Sequence, residues 1–432
     1  MLLELLCQSM ADLLESVESV EFPETRPLRP SESRGQLGLE NCSGILSVCD
    51  PSLIPGLSED LSLRCLAMLP CSQHRHLAAV CRMWRAAVAT GLVRGERRGM
   101  GRLKPHILTV IEDVKLGQLH LWALEPERMM WHSLRSLPMK LGHMAGGDWS
   151  EPAIGFGVAV VGGQVYIIGG MDRLPDCADR CLSSVFRYSL DLDTWEQVSS
   201  MHSSRVHFAC GVHKGKVVVV GGMYHAGRSQ VRDRNPSAEV YDPEFDTWRI
   251  IPATQIPRMR GPDFGFFQNG RFSVTSEDLA PRGESLDLQS YEWTPLRVPT
   301  LPDRPIKVAQ TPAGPLCVLQ TLWPVGIHDF KYTITMRKQN GFHTLGSWLS
   351  SGLGPMAHPR EMVAMGEKLF VIGNSLPRWE RKSLSREGPN ALHVAEFDLG
   401  AESRGAKGAW KHLGDKVFEK GTWILGSGVM GI

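Results

Sequence analysis

The chain has 432 residues, 42% of them hydrophobic and 22% charged, with a net charge of +1. That near neutrality gives no global pull towards nucleic acid or an anionic membrane surface, and no apolar run approaches the roughly 18 residues of a membrane-spanning helix. The length allows about three domains, and two folded parts suit it better because one repeat architecture accounts for most of it.

Residues 1–50 carry nine acidic and three basic side chains, the balance of a solvated, largely disordered tail. Residues 64–104 invert it, with nine basic and one acidic, so the tail has a basic surface available to fold back on. The solvated reading is preferred. Residues 1–20 form an amphipathic acidic pattern around Leu2, Leu3, Leu6, Met10, Leu13, Leu14 and Val17. It lacks the basic start and small-residue cleavage site of a signal peptide. Ten cysteines occur without a CxxC pair, which points to reduced thiols and an intracellular chain, in cytoplasm or nucleus.

Residues 51–98 predict a small helical unit. Ser58, followed by Glu59 and Asp60, supplies an N-cap and an acidic first turn, and Pro70 ends the segment. Leu61, Cys65 and Leu69 recur at i+4 with Leu66 beside them, and Leu77, Val80, Cys81, Trp84 and Val88 make a second apolar face. So short a unit buries little apolar surface by itself, and its stripe is expected to continue into a partner protein. The bland alternative is that it packs only within its own chain.

From residue 105 the grammar changes to strands. VYIIGGM and SVFRYSLDLDTW, ending at Trp195, are written again as VVVVGGM and SAEVYDPEFDTW, ending at Trp248, with the glycine pairs 52 residues apart. Gly169-Gly170 and Gly221-Gly222 close apolar runs where the chain turns through positive φ. Each tryptophan follows Asp-Thr and lies seven residues after a tyrosine, Tyr188 or Tyr241, placed to pack between adjacent sheets. Weaker copies put further repeat aromatics at Trp131, Trp293, Phe342 and Trp410, which makes six. Upstream Gly-containing hairpins supply inner strands for blades two to six. Blade one lacks such a strand, and residues 422–430 (TWILGSGVM) are expected to complete it and close the ring.

The repeats resemble kelch repeats. Leu57, Leu61, Leu66, Leu69-Pro70 and Val80-Cys81-Arg82-Met83-Trp84 resemble the F-box, with Leu57-Ser58 standing where that motif has Leu-Pro. Together they resemble the plant-type F-box/kelch-repeat family over about residues 51–430. The fold implied is mainly β, a six-bladed kelch β-propeller over 105–432 preceded by a small α-helical F-box domain over 51–98. The function implied is the substrate-recognition subunit of an SCF-type cullin-RING ubiquitin ligase. In it the F-box docks a Skp-type adaptor, which brings cullin and RING subunits, and the propeller holds the protein to be ubiquitinated. The adaptor-facing residues on this reading are Leu57, Leu61, Leu66, Leu69, Pro70, Val80 and Trp84, although Trp84 has an alternative role in holding the helices together. A scaffold that binds without marking for degradation is the other reading.

For substrate, Arg228, Arg232 and Arg234 in residues 223–237 and Arg378, Trp379 and Arg381 in residues 374–390, with Arg205 and Arg258 at later blade starts, make an arginine-rich rim. Such a rim suits an acidic or phosphorylated peptide through bidentate contacts, against the plain alternative of solvated arginines. No catalytic residue, cofactor or metal site is expected. Residues 426–431 match GxGxxG by spacing, but no helix follows to receive a phosphate. The pairs His74/His76 and His202/His207 lack metal-site neighbours. A kelch copper oxidase of the galactose oxidase type is the enzymatic alternative, and the six tyrosines argue against it: five sit on strands or a repeat turn, and only Tyr224 falls in a loop.

Overall fold

Short apolar runs joined by glycine turns pair with their sequence neighbours, and six four-stranded antiparallel sheets result. The computed structural model describes residues 53–69, 71–113, 118–137, 155–172, 180–225, 232–234, 237–252, 264–268, 270–275, 283–296, 302, 305–310, 316–324, 330–338, 341–349, 358–374, 391–399, 410–417 and 422–431. The chain divides into two units, Met1–Leu103 and Lys104–Ile432.

In the second unit, blade two consists of Gly157–Val161, Gln164–Ile168, Val185–Ser189 and Thr194–Val198, and blade three of Ala209–His213, Lys216–Val220, Ala238–Asp242 and Thr247–Ile251. Blade four runs through Phe264–Gln268, Arg271–Thr275, Gly283–Leu286 and Trp293–Leu296, and blade five through Pro305–Gln310, Leu316–Pro324, Phe330–Lys338 and Gly341–Leu349. Blade six is His358–Met365, Lys368–Asn374, Ala391–Asp398 and Trp410–Val417. Blade one takes Pro105–Asp113, Gln118–Glu125 and Met130–Ser133 from its own stretch and its innermost strand, Thr422–Gly431, from the far end of the sequence. Each innermost strand lies beside the next, and that of blade six returns to Thr422–Gly431, so the sheets form a six-bladed β-propeller.

The hairpins show why glycine stands where it does. Between the first two strands of blade two, Gly162 and Gly163 have φ of 58° and 87°, and in blade three Lys214 and Gly215 have 46° and 78°. Positive φ at both central positions is the type I′ turn that matches strand twist.

The seams between blades are where the repeat aromatics work. Trp195 packs on the cluster joining blades one and two, Trp248 on that joining two and three, and Trp293 on that joining three and four. Their indole Nε1 groups donate to Arg135 O at 2.7 Å, Ser199 O at 2.7 Å and Pro252 O at 2.9 Å, each four residues after the preceding blade's tryptophan. Tyr188 and Tyr241 donate their hydroxyls to Asp193 and Asp246, which turn at φ near 50° just before the tryptophans. Phe342 occupies the equivalent strand position in blade five and packs at the seam with blade four, but has no N–H to give. Trp131 packs at the seam of blades six and one, where its Nε1 is buried without an acceptor among the described residues.

Among the described residues of the first unit there are four α-helices: α1 (Glu59–Met68), α2 (His74–Val80), α3 (Arg82–Ala89) and α4 (Leu92–Gly99). Ser58 caps α1, its Oγ accepting from Leu61 N at 3.4 Å. Cys81 ends α2 and caps α3, with Sγ accepting from Trp84 N at 3.4 Å. At the C-terminus of α1, the Arg97 guanidinium from α4 donates to Ala67 O at 2.8 Å and Leu69 O at 2.5 Å. A cation there satisfies carbonyls that have no partner within the helix and complements its dipole. Ser62, Cys65, Leu66, Ala67, Leu69, Leu77, Ala87, Val88 and Val93 are buried.

Candidate docking surfaces

The helical unit sorts its apolar residues into two sets. Leu66 and Leu69 are 0% and 2% exposed. This corrects the placement of both on the adaptor-facing surface: α4 packs against α1, and both side chains lie in the interior. By contrast Leu61 is 40%, Val80 54%, Met83 41% and Leu92 53% exposed. Leu57 is half-buried, and Pro70 lies outside the described residues. Trp84 is half-buried too and donates Nε1 to Leu53 O at 2.6 Å, while Arg85 Nε donates to Ala78 O at 2.8 Å. Trp84 therefore ties α3 to the segment before α1. Met83 and Leu92 were missed in the sequence because neither falls on the i+4 stripe; their exposure depends on how the helices pack.

In the propeller, the linkers between second and third strands of blades two and three each carry a short ribbon, Met171–Asp172 with Arg180–Cys181 and Met223–His225 with Arg232–Arg234. The two ribbons neighbour each other. Arg232 pairs with His225 and Arg234 with Met223 along the backbone. Tyr224, expected in a loop, thus sits in a strand opposite Asp233. Arg228, Arg258, Arg378, Trp379 and Arg381 lie outside the described residues.

Arg205 belongs to none of these surfaces. Its side chain is 0% exposed, and the guanidinium donates to Glu239 Oε1 at 2.8 Å, Gly221 O at 2.7 Å, Ser237 O at 2.9 Å and Ser237 Oγ at 2.6 Å. Glu239 is equally enclosed, with Oε2 accepting from His202 N at 2.7 Å and His202 Nδ1 at 2.9 Å. Burial works against the charged carboxylate, but hydrogen bonds from Arg205 and His202 outweigh it and hold Glu239 below the usual carboxylate range. A buried charge persists only when so fully paired, and this pair fastens the start of blade three to its second and third strands. The expectation that Arg205 joins a substrate-binding rim is corrected accordingly.

The sheets and their seams define a kelch-type propeller, and the Kelch motif model matches residues 152–202 and 204–255, blades two and three. F-box/kelch-repeat protein SKIP30 of Arabidopsis thaliana is 31% identical over 350 residues, 77% of this chain and 87% of that protein. F-box/kelch-repeat protein At1g16250 of the same plant is 26% identical over 374 residues, 78% and 87% of the two chains. F-box/kelch-repeat protein At1g22040 is 32% identical over 233 residues, but there the match spans about half of each, 46% and 47%. The chain belongs to the F-box/kelch-repeat family, and the helices described over residues 59–99 are compatible with an F-box. Among the described residues no helix is long and apolar enough to cross a membrane.

Proposed function

We propose that this F-box/kelch-repeat protein is a substrate receptor of an SCF-type cullin-RING ubiquitin ligase. The observation that carries the reading is the division within the helical unit: it buries Leu66, Leu69, Leu77 and Val88, yet keeps Leu61, Val80, Met83 and Leu92 exposed. Apolar side chains left in water on so small a unit favour a protein partner. A Skp-type adaptor, bridging to cullin and RING subunits, is the partner that family membership supports. Leu57, Leu61 and Val80 remain the adaptor-facing assignments, joined by Met83 and Leu92. Pro70 keeps its place in that set from the motif alone.

The propeller would present the target protein. Arg228, Arg232, Arg234, Arg258, Arg378, Trp379 and Arg381 are the residues proposed to receive an acidic or phosphorylated segment, on the strength of their charge and their clustering in the sequence. The chain makes and breaks no bond on this reading. It raises the effective concentration of substrate lysines near a charged conjugating enzyme.

The test is co-purification of a Skp-type adaptor with the full chain and with Leu61→Asp and Val80→Asp. Loss of adaptor with unchanged thermal melting is expected; retention in both variants overturns the docking assignment. Target abundance with and without a proteasome inhibitor then separates a degradative receptor from a scaffold.

A further inference from the structure

Blade six assembles three metal-ligating side chains that neither the repeat nor the proposed docking uses. His393 lies in the strand Ala391–Asp398, and His412 and Asp415 in the neighbouring strand Trp410–Val417. In a regular strand residues 412 and 415 would point to opposite faces. Here the register shifts by one residue: His393 pairs with Asp415 and Val394 with Gly414, whereas Ala395 pairs with His412. Such a bulge re-aims side chains. His393 and Ala395 share a face, so their partners Asp415 and His412 share it as well.

The side chains meet there. His393 Nδ1 is 2.6 Å and His412 Nε2 2.8 Å from the same oxygen, Asp415 Oδ1, and the three ligand atoms lie within 4.8 Å of one another. His393 is buried while His412 and Asp415 reach solvent, so the group is anchored on one side and approachable on the other. Among the described residues the two histidines are the only ion-pair partners of Asp415. The second Nε2 of the pair of rings, that of His393, is buried with no hydrogen-bond partner among them. A second cluster, His106, Glu125 and His132, has two histidines with a glutamate in place of the aspartate, but Glu125 is already engaged by Lys104 at 3.2 Å and Arg128 at 3.7 Å. Those cations occupy the charge that an ion would need.

We propose that His393, His412 and Asp415 form a binding site for a divalent transition-metal ion of the zinc or cobalt type. Two imidazoles and a carboxylate are a donor set such ions accept, with further positions left to water. Without an ion, one carboxylate oxygen serves both rings. With an ion, each ring would present to it the nitrogen that now faces Asp415. The site would tie the two outer strands of blade six together across the bulge.

The test uses the full chain, stripped with a chelator and titrated with Co2+ while the visible ligand-field spectrum is followed, then with Zn2+ while thermal melting is followed. One equivalent of Co2+ is expected to give a spectrum without thiolate charge-transfer bands, and Zn2+ to raise the melting temperature. Asp415→Asn and His412→Gln, both at part-exposed positions, should each weaken binding about 10- to 100-fold or more while circular dichroism stays unchanged. The proposal is overturned by the absence of a cobalt spectrum in the wild type. It is equally overturned by a spectrum that survives both substitutions, which would place the ion elsewhere, at the cysteines if thiolate bands are present and at the His106, Glu125 and His132 cluster if they are not.

Discussion

Trp248 donates its indole N–H to the carbonyl oxygen of Ser199 at 2.7 Å, and two residues earlier Asp246 accepts from the N–H of that same Ser199 at 2.9 Å. Blade three therefore holds a single residue of blade two from both sides, and the tryptophan and aspartate of the repeat act as one clamp. The Tyr241 hydroxyl, which donates to Asp246, fixes the aspartate in place.

Replacing Trp248 separates the two parts of this clamp. Trp248→Phe keeps most of the packing and loses the donor, for an expected cost of about 0.5–1.5 kcal/mol. Trp248→Ala also opens a cavity in the seam and is expected to cost about 3–5 kcal/mol. Urea denaturation of both variants measures the difference; equal losses would mean that the hydrogen bond, not the ring, dominates.

The buried Arg205–Glu239 pair predicts a response to acid. Glu239 is held below its ordinary value of 4.5 in the folded protein. Its contribution to stability is therefore complete above that value and declines as the pH falls through the lower folded-state value. Arg205→Ala strands the carboxylate and is expected to cost about 3–5 kcal/mol at neutral pH. In Glu239→Gln the acid-dependent part of this contribution disappears. Melting temperatures of wild type and Glu239→Gln from pH 7 to pH 3 test the sign: the gap between them should narrow on acidification, and a widening gap refutes the assignment.

The ring depends on its last strand. Thr422–Gly431 pairs with Pro105–Asp113 along its length, from Asp113 opposite Thr422 to Pro105 opposite Gly431, and buries Ile424 at the seam of blades six and one. Deleting residues 421–432 exposes Pro105–Asp113 as an unpaired edge. An aggregated or protease-sensitive product is expected from size-exclusion chromatography and limited trypsin digestion. A monomeric product with the wild-type digestion pattern would show that closure is dispensable.

The amino-acid sequence alone determined the features whose causes are local. The repeat, its count of six, the glycine turns and the family resemblance all rest on residues within one strand pair or one helix turn, where periodicity and φ restrictions act directly. Tertiary structure decided the rest. Arg205 looks like a surface arginine until Glu239, 34 positions away, is folded against it. Leu61 and Leu69 share one stripe, and only the folded packing makes one exposed and the other interior. His393 and Asp415 become neighbours solely through strand register, and one bulge brings His412 to their face. The physical reason is common to these cases: burial and juxtaposition are set by contacts between distant segments, and a linear pattern records which faces exist without recording what covers them.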